Sequence, residues 1–509
     1  MTDAHRDLLT LARTVLQPGF EGMSPPEWVR RWLSEGLGGV ALFARNIGNP
    51  AQVSALTAAL RSENPDVIVA IDEEAGDVTR FECRRGSSRP GNLALGAVDD
   101  PTLTEEVARD LGQELAAAGI TLNYAPDADV NSDPNNPVIG VRAFGAAPDL
   151  VARHTAAWIR GLQSAGVAAC AKHFPGHGNT SVDSHEDIPR IAASREELAG
   201  CELLPFRAAI DAGVQSIMTG HLLVPAYDPD LPATLSRRVL TDLLREELGY
   251  DGLVVTDGIE MRAITNKYGL EAAAVYALEA GADAVCVGGD HADEDTARRL
   301  RDAIVTAVES GTLAEERLVA AATRVARLAT WTSYARNAAL ATLNGHNGNG
   351  YHSSNGGSPV GLAAARRAVR IIASSAPFLP LPAAPHVVEF APTRNIAIGA
   401  ETPWGLGEPL SGLLPETTTV RLDAGDIEAG RLSPAVLTAA SGRPLVLVVR
   451  DVHRHRWMAT AVDRVLAARP DAIVVEMGVP AATSGHVHLA TYGATRANAQ
   501  AAAELLVGA

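Results

Sequence analysis

VAACAKHFPGHGNTSVDSHED, residues 167–187, joins five small apolar residues to a polar loop that holds three histidines and several acids. The apolar run has no polar face, so it reads as a strand buried on both sides, the pattern of a parallel sheet covered by helices. The switch to Lys172-His173 directly after it delivers ionisable side chains at the end of that strand.

The same grammar recurs on either side. GVALF (39–43), VIVAI (67–71), ITLNYA (120–125), VQSIM (214–218), LVVT (253–256) and AVCVG (284–288) are further candidate strands. Amphipathic stretches separate them, among them LTEEVARDLGQELAAAG ending at Gly119, LVARHTAAWIRGLQSAG ending at Gly166 and EDTARRLRDAIVTAVESG ending at Gly311. A terminal glycine suits a helix C-cap. About eight such units before residue 340 predict a TIM-type (β/α)₈ barrel, with a doubly wound sheet as the alternative.

The rhythm stops at NGHNGNGYHSSNGGSP (344–359), which cannot bury enough apolar surface to order itself. Beyond it VRIIAS, HVVEF, TTVRL, PLVLVV and AIVVEMG alternate with helical stretches such as WMATAVDRVLAAR, predicting a smaller α/β sandwich domain. The expected organisation is a catalytic barrel at 1–340, a linker at 341–359 and a C-terminal α/β domain at 360–509. Two domains also suit 509 residues, since single cores stop growing near about 250 to 300 residues.

Composition narrows the partners. A formal net charge of −17 opposes binding to nucleic acid or anionic lipid, both of which need clustered Lys and Arg. The four cysteines have no CxxC spacing and read as buried thiols. No apolar run reaches the roughly 20 residues of a membrane span. The opening MTDAHRDLLTLARTVLQ mixes charges into a helical pattern and lacks a signal peptide's apolar stretch, so a cytoplasmic protein is expected. Its partner is expected to be a small, mostly uncharged molecule.

In a barrel, functional side chains gather at the C-terminal ends of the strands. VIVAI runs into Asp72-Glu73-Glu74, VAACA into Lys172-His173, and LVVT into Asp257-Gly258, so three strands deliver ionisable groups to one candidate pocket. Polar strand exits and Asp-Gly turns are also common without function. In the histidine-rich loop, Asp183 and His185 are one residue apart. Extended backbone can set them on one side, where the carboxylate orients the imidazole as an acid/base dyad. A metal site is the competing reading, but no HExxH or similar helical spacing occurs.

With these residues quoted, the chain resembles glycoside hydrolase family 3, in its bacterial β-N-acetylglucosaminidase branch. KHFPGHGNTSVDSH (172–185) is similar to that branch's signature, and VVTDGIEM (254–261) to its nucleophile motif. NYAPDADVNSDPNNPVIGVRAFG (123–145) and MTGHLLVPAYDPDLPATLS (218–236) also have counterparts there, in the expected order. The resemblance implies Asp257 as nucleophile, His185 as acid/base and Asp183 as its orienting partner. It also implies Asp72, Arg142, Lys172 and His173 as sugar-binding residues. Ala75 replaces a usual glycine and Asp77 a usual basic residue. Asp77 is read either as facing solvent or as favouring a cationic, deacetylated aminosugar.

The implied activity is that of a retaining exo-β-N-acetylglucosaminidase acting on small soluble glycans, muropeptides or chitooligosaccharides, without metal or organic cofactor. Such an enzyme is expected to be a monomer or weak homo-oligomer. The alternatives are a phosphorylase using the same glycosyl-enzyme, a β-glycosidase of other sugar preference, a metal-dependent hydrolase, and a catalytically silent sugar-binding protein.

Overall fold

The computed structural model describes residues 3–180, 188–289, 291–345, 357–374, 379–393, 395, 397–399 and 401–509. By their contacts these form two units. The first is Met1–Glu73, Thr104–Val138 and Ala146–Asn355; the second is Glu74–Leu103, Ile139–Gly145 and Gly356–Ala509. Segments 74–103 and 139–145 therefore group with the C-terminal part of the chain, although they fall within the span read from sequence as barrel.

The first unit is a ring of eight parallel strands: β1 (Leu16–Pro18), β2 (Gly39–Leu42), β3 (Ile68–Ile71), β4 (Leu122–Asn123), β5 (Ala168–Phe174), β6 (Ser216–Thr219), β7 (Leu253–Thr256) and β8 (Val285–Val287). Strands β2 to β7 pair in chain order, β8 joins β7 through a Val255–Ala284 bridge, and β1 pairs with β8 from Leu16↔Val285 onward. Between β1 and β2, a Cβ on Gly38 would lie 2.1 Å from the Thr14 carbonyl oxygen, so only glycine permits that approach.

Alternate residues of these strands fill the interior. Ala41, Ile68, Ala70, Leu122, Ala168, Cys170, Met218, Leu253, Val255, Ala284 and Cys286 form one buried cluster. Alanine and cysteine make up about half of it, as an eight-stranded barrel with little inner space requires. The long helix Glu315–Gly345 adds Val325, Leu328 and Ala329 to the same cluster.

In the second unit, β9 (Arg370–Ser374), β10 (His386–Phe390), β11 (Thr418–Leu422), β12 (Leu445–Val449), β13 (Ile473–Glu476) and β14 (Val487–Ala490) make one sheet in the order β11-β10-β12-β13-β14-β9. All pairings are parallel except β14 with β9. Period-two alternation splits its apolar residues between two cores. Val387, Val446, Val448 and Val475 pack with helix Arg496–Val507, whereas Val388, Leu447, Val449 and Val474 pack with helix Arg456–Ala468. The expected α/β sandwich follows from that division.

Candidate active site

β7 ends in a buried run, and the chain leaves it at Asp257, which is half-buried. The Asp257 amide donates to the Thr219 carbonyl at the end of β6 (3.3 Å), and its carboxylate Oδ1 accepts the Gly258 amide (2.8 Å). One turn on, Glu260 Oε1 accepts the amides of Gly288 (2.8 Å) and Gly289 (2.5 Å) just past β8. The loop is thus held from both neighbouring strands. Glu260 Oε2 is buried with no hydrogen-bond partner among the described residues. Burial raises the Glu260 carboxyl above its usual range; the loop amides pull against this, and the Asp257 carboxylate adds to it.

Strand β5 supplies the opposite wall. Lys172 is almost fully buried, and its ammonium meets Asp72, just past β3, at 2.5 Å. A buried cation needs such a partner, because an unpaired charge there costs several kcal/mol. Beside it, His173 Nδ1 lies 2.8 Å from Asp129 Oδ2, while Asp129 Oδ1 accepts the amides of His173 (3.2 Å) and His177 (2.7 Å). Burial opposes ionisation of Asp129, but the facing His173 ring and these amides prevail and hold its carboxyl below the usual range. A carboxylate against Nδ1 fixes the ring's orientation.

The loop after β5 is packed tightly. A Cβ at Gly178 would stand 1.7 Å from the Val130 carbonyl oxygen, and Asn136 Nδ2 donates to the His177 carbonyl (2.9 Å). Glu202 is buried against this loop, with its carboxyl raised by desolvation and bonded to Asn179. Beneath the rim, burial pushes the Cys170 thiol up to about 12; Lys172 opposes that shift, and the Asp72 and Asp257 carboxylates reinforce it. Both carboxylates therefore act on the same point of the barrel interior.

Asp72, Lys172, His173 and Asp257 accordingly all stand at the C-terminal rim of the first unit. Asp183 and His185 lie outside the described residues. Arg142 belongs to the second unit, where its guanidinium grips Glu74 through Nη2 (2.7 Å) and Nε (3.0 Å). Asp77 overturns the solvent-facing reading, because its carboxylate is buried and paired. It is buried, paired with Arg450 and bonded to the Ala494 amide at 2.8 Å. Its partner is 373 residues away, which no local pattern reveals.

Sequence reasoning passed over Asp129, Glu202 and His221. Asp129 and His221 stand inside quoted motifs, close behind predicted strands, and that position was the available signal. Asp127, Asp129 and His173 bring potential ligand atoms within 4.8 Å of one another and are the candidate cation holders among the described residues. Both Asp129 oxygens are already engaged by His173 and backbone amides, which suits ring orientation better than ligation.

Residues 20–328 match the family model described as the glycosyl hydrolase family 3 N-terminal domain. The chain is 36% identical over 352 residues to β-hexosaminidase A of Pseudoalteromonas piscicida, covering 64% of this chain and 59% of that protein. It is 40% identical over 257 residues to the β-hexosaminidase of Alkalilimnicola ehrlichii, covering 49% of this chain and 73% of that one. The solved glycoside hydrolase family 3 β-N-acetylglucosaminidase from Paenibacillus sp. strain FPU-7 superposes with a TM-score of 0.84 at 34% identity. That likeness covers 100% of this chain and 97% of the other.

Proposed function

Because the chain belongs to glycosyl hydrolase family 3 and is a glycoside hydrolase, we propose that it is a retaining exo-β-N-acetylglucosaminidase that releases terminal β-linked N-acetylglucosamine from small soluble glycans. The observation that carries the reading is the half-buried Asp257 at the end of β7, on the same barrel rim as the Asp72–Lys172 pair and the His173–Asp129 pair. The β-hexosaminidase relatives and the solved β-N-acetylglucosaminidase support the choice of sugar.

In this scheme ionised Asp257 attacks the anomeric carbon through an oxocarbenium-like transition state. The glycosidic bond breaks, and His185 gives its proton to the leaving oxygen. His185 then takes a proton from water, whose oxygen displaces Asp257 and restores the original configuration. An imidazole with an ordinary pKa of about 6.5 can serve in both directions near neutral pH, and Asp183 holds its tautomer. Lys172, His173 and Asp72 bind the sugar hydroxyls, converting remote binding into alignment of the reacting atoms. The scheme takes no metal or organic cofactor, so turnover should survive exhaustive chelation. Muropeptides and chitooligosaccharides are the substrate classes it suits, within the cytoplasm, for a monomer or weak homo-oligomer.

The test is hydrolysis of paired aryl β-glycosides, N-acetylglucosaminide against glucoside and glucosaminide, with and without phosphate, following the anomer released. Preference for the acetamido sugar with a β-product supports the reading. A sugar 1-phosphate makes it a phosphorylase, and no turnover makes it a silent binding protein.

A further inference from the structure

The segment MTGHLL contributes a histidine that the proposed chemistry leaves unused. His221 follows β6 and is fully buried, and its two ring nitrogens point in opposite directions within the first unit. Nε2 lies 3.0 Å from the carbonyl oxygen of Gly258, the residue after Asp257. A carbonyl has no proton to give, so Nε2 carries the hydrogen and donates it. Nδ1 lies 2.9 Å from Thr234 Oγ1, which in turn is 2.8 Å from Thr219 Oγ1 and 3.0 Å from the Gly220 carbonyl. With both nitrogens engaged and the ring sealed from solvent, His221 is not built to shuttle protons to a substrate.

Its target gives it meaning. Gly258 has the freest backbone of the nucleophile loop, because glycine lacks the steric limits that confine other residues. Its amide is pinned to the Asp257 carboxylate, and Asp257's own amide is pinned to Thr219. The carbonyl bond from His221 fixes the remaining side of that glycine. Without it Gly258 can turn, taking its amide away from Asp257 Oδ1 and releasing the carboxylate from its attacking direction.

We infer that His221, backed by Thr234, is a positioning residue that locks the Gly258 backbone and thereby aims the Asp257 carboxylate at the anomeric carbon. The inference rests on the reading of Asp257 as nucleophile. Attack tolerates little misplacement, since about 1 Å of error can cost on the order of 100-fold in rate.

The experiment compares His221→Leu, His221→Gln and Thr234→Val with the unaltered full chain, using an aryl N-acetyl-β-glucosaminide and recording circular dichroism and Tm for each. His221→Leu should lower kcat by about 10- to 100-fold with KM changed by no more than about twofold. Gln, whose amide can reach and donate to the Gly258 carbonyl, should recover most of that loss. Thr234→Val should lower kcat less, and should add little to His221→Leu, because both act through one bond. If His221→Leu does not fold, Thr234→Val and His221→Gln still decide the matter. Unaltered kcat in the folded variants, a loss confined to KM, or a Gln variant no better than Leu overturns the inference. Asp257→Ala is measured alongside. If it keeps turnover, the nucleophile reading falls and takes this inference with it; if it is inactive while His221→Leu matches the unaltered enzyme, this inference alone falls.

Discussion

Ala75 adopts a left-handed φ of 56°, a conformation that favours glycine, the residue that the family resemblance implies at this position. Two residues on, Asp77 meets the Arg450 guanidinium and the Ala494 amide in the interior of the second unit. Its charge is therefore spent inside the protein. Asp77→Asn should destabilise that unit by about 3 kcal/mol or more in chemical denaturation, because it leaves a buried guanidinium without its counter-charge. The ratio of activity on N-acetylglucosaminide to glucosaminide should stay within about twofold of its original value. A tenfold swing in that ratio would show that the charge reaches the substrate after all. Asp77 stood out as a departure from the residue that the family resemblance implies, yet its meaning depended on a contact that sequence spacing cannot display.

At the scale of elements, strands bounded by apolar runs were readable. LVVT at 253–256 coincides with β7, and the long run through residue 171 continues as β5 to Phe174. β1 was not readable, because Leu16–Pro18 is three residues long, ends in proline and follows directly on the helix Asp3–Thr14. β14 was hidden because His488 interrupts its apolar pattern. Strand ends explain what was legible of the site: Asp72, Lys172, His173 and Asp257 all follow from one positional rule, whereas Asp129 and Glu260 matter through hydrogen bonds that cross to neighbouring strands. The Lys172–Asp72 pair joins the ends of β3 and β5, so its loss should be felt in binding. Lys172→Met should raise KM for the aryl N-acetylglucosaminide about 10-fold or more, the worth of a charge-assisted hydrogen bond. An unchanged KM would remove both residues from the sugar site.

For the whole molecule, the two units are built on different logics, a barrel with one core and an open sheet with a core on each face. No helix among the described residues is long and apolar enough to cross a membrane. The open sheet carries a pH-sensitive element at the end of β13. Burial, with the Asp451 carboxylate adding to it, pushes Glu476 up from 4.5 to about 8. The folded chain then keeps a proton that the unfolded chain releases, so this group's contribution is complete below about pH 4.5 and is lost as pH rises through about 8. Glu476→Gln should remove that slope, and its Tm relative to the unaltered protein should improve between about pH 5 and pH 8 and level off above. A Tm difference independent of pH would mean that Glu476 is ionised throughout.

The central claim, that Asp257 forms and breaks the bond to the sugar, is tested most directly by chemical rescue of Asp257→Ala with azide on an activated aryl N-acetyl-β-glucosaminide. The account predicts a folded variant slowed by on the order of 10⁴-fold or more, with turnover restored by azide. The product should be the α-glycosyl azide, since the anion enters from the face that the carboxylate has vacated. Near-normal turnover without azide, or a rescued product of β configuration, would contradict it.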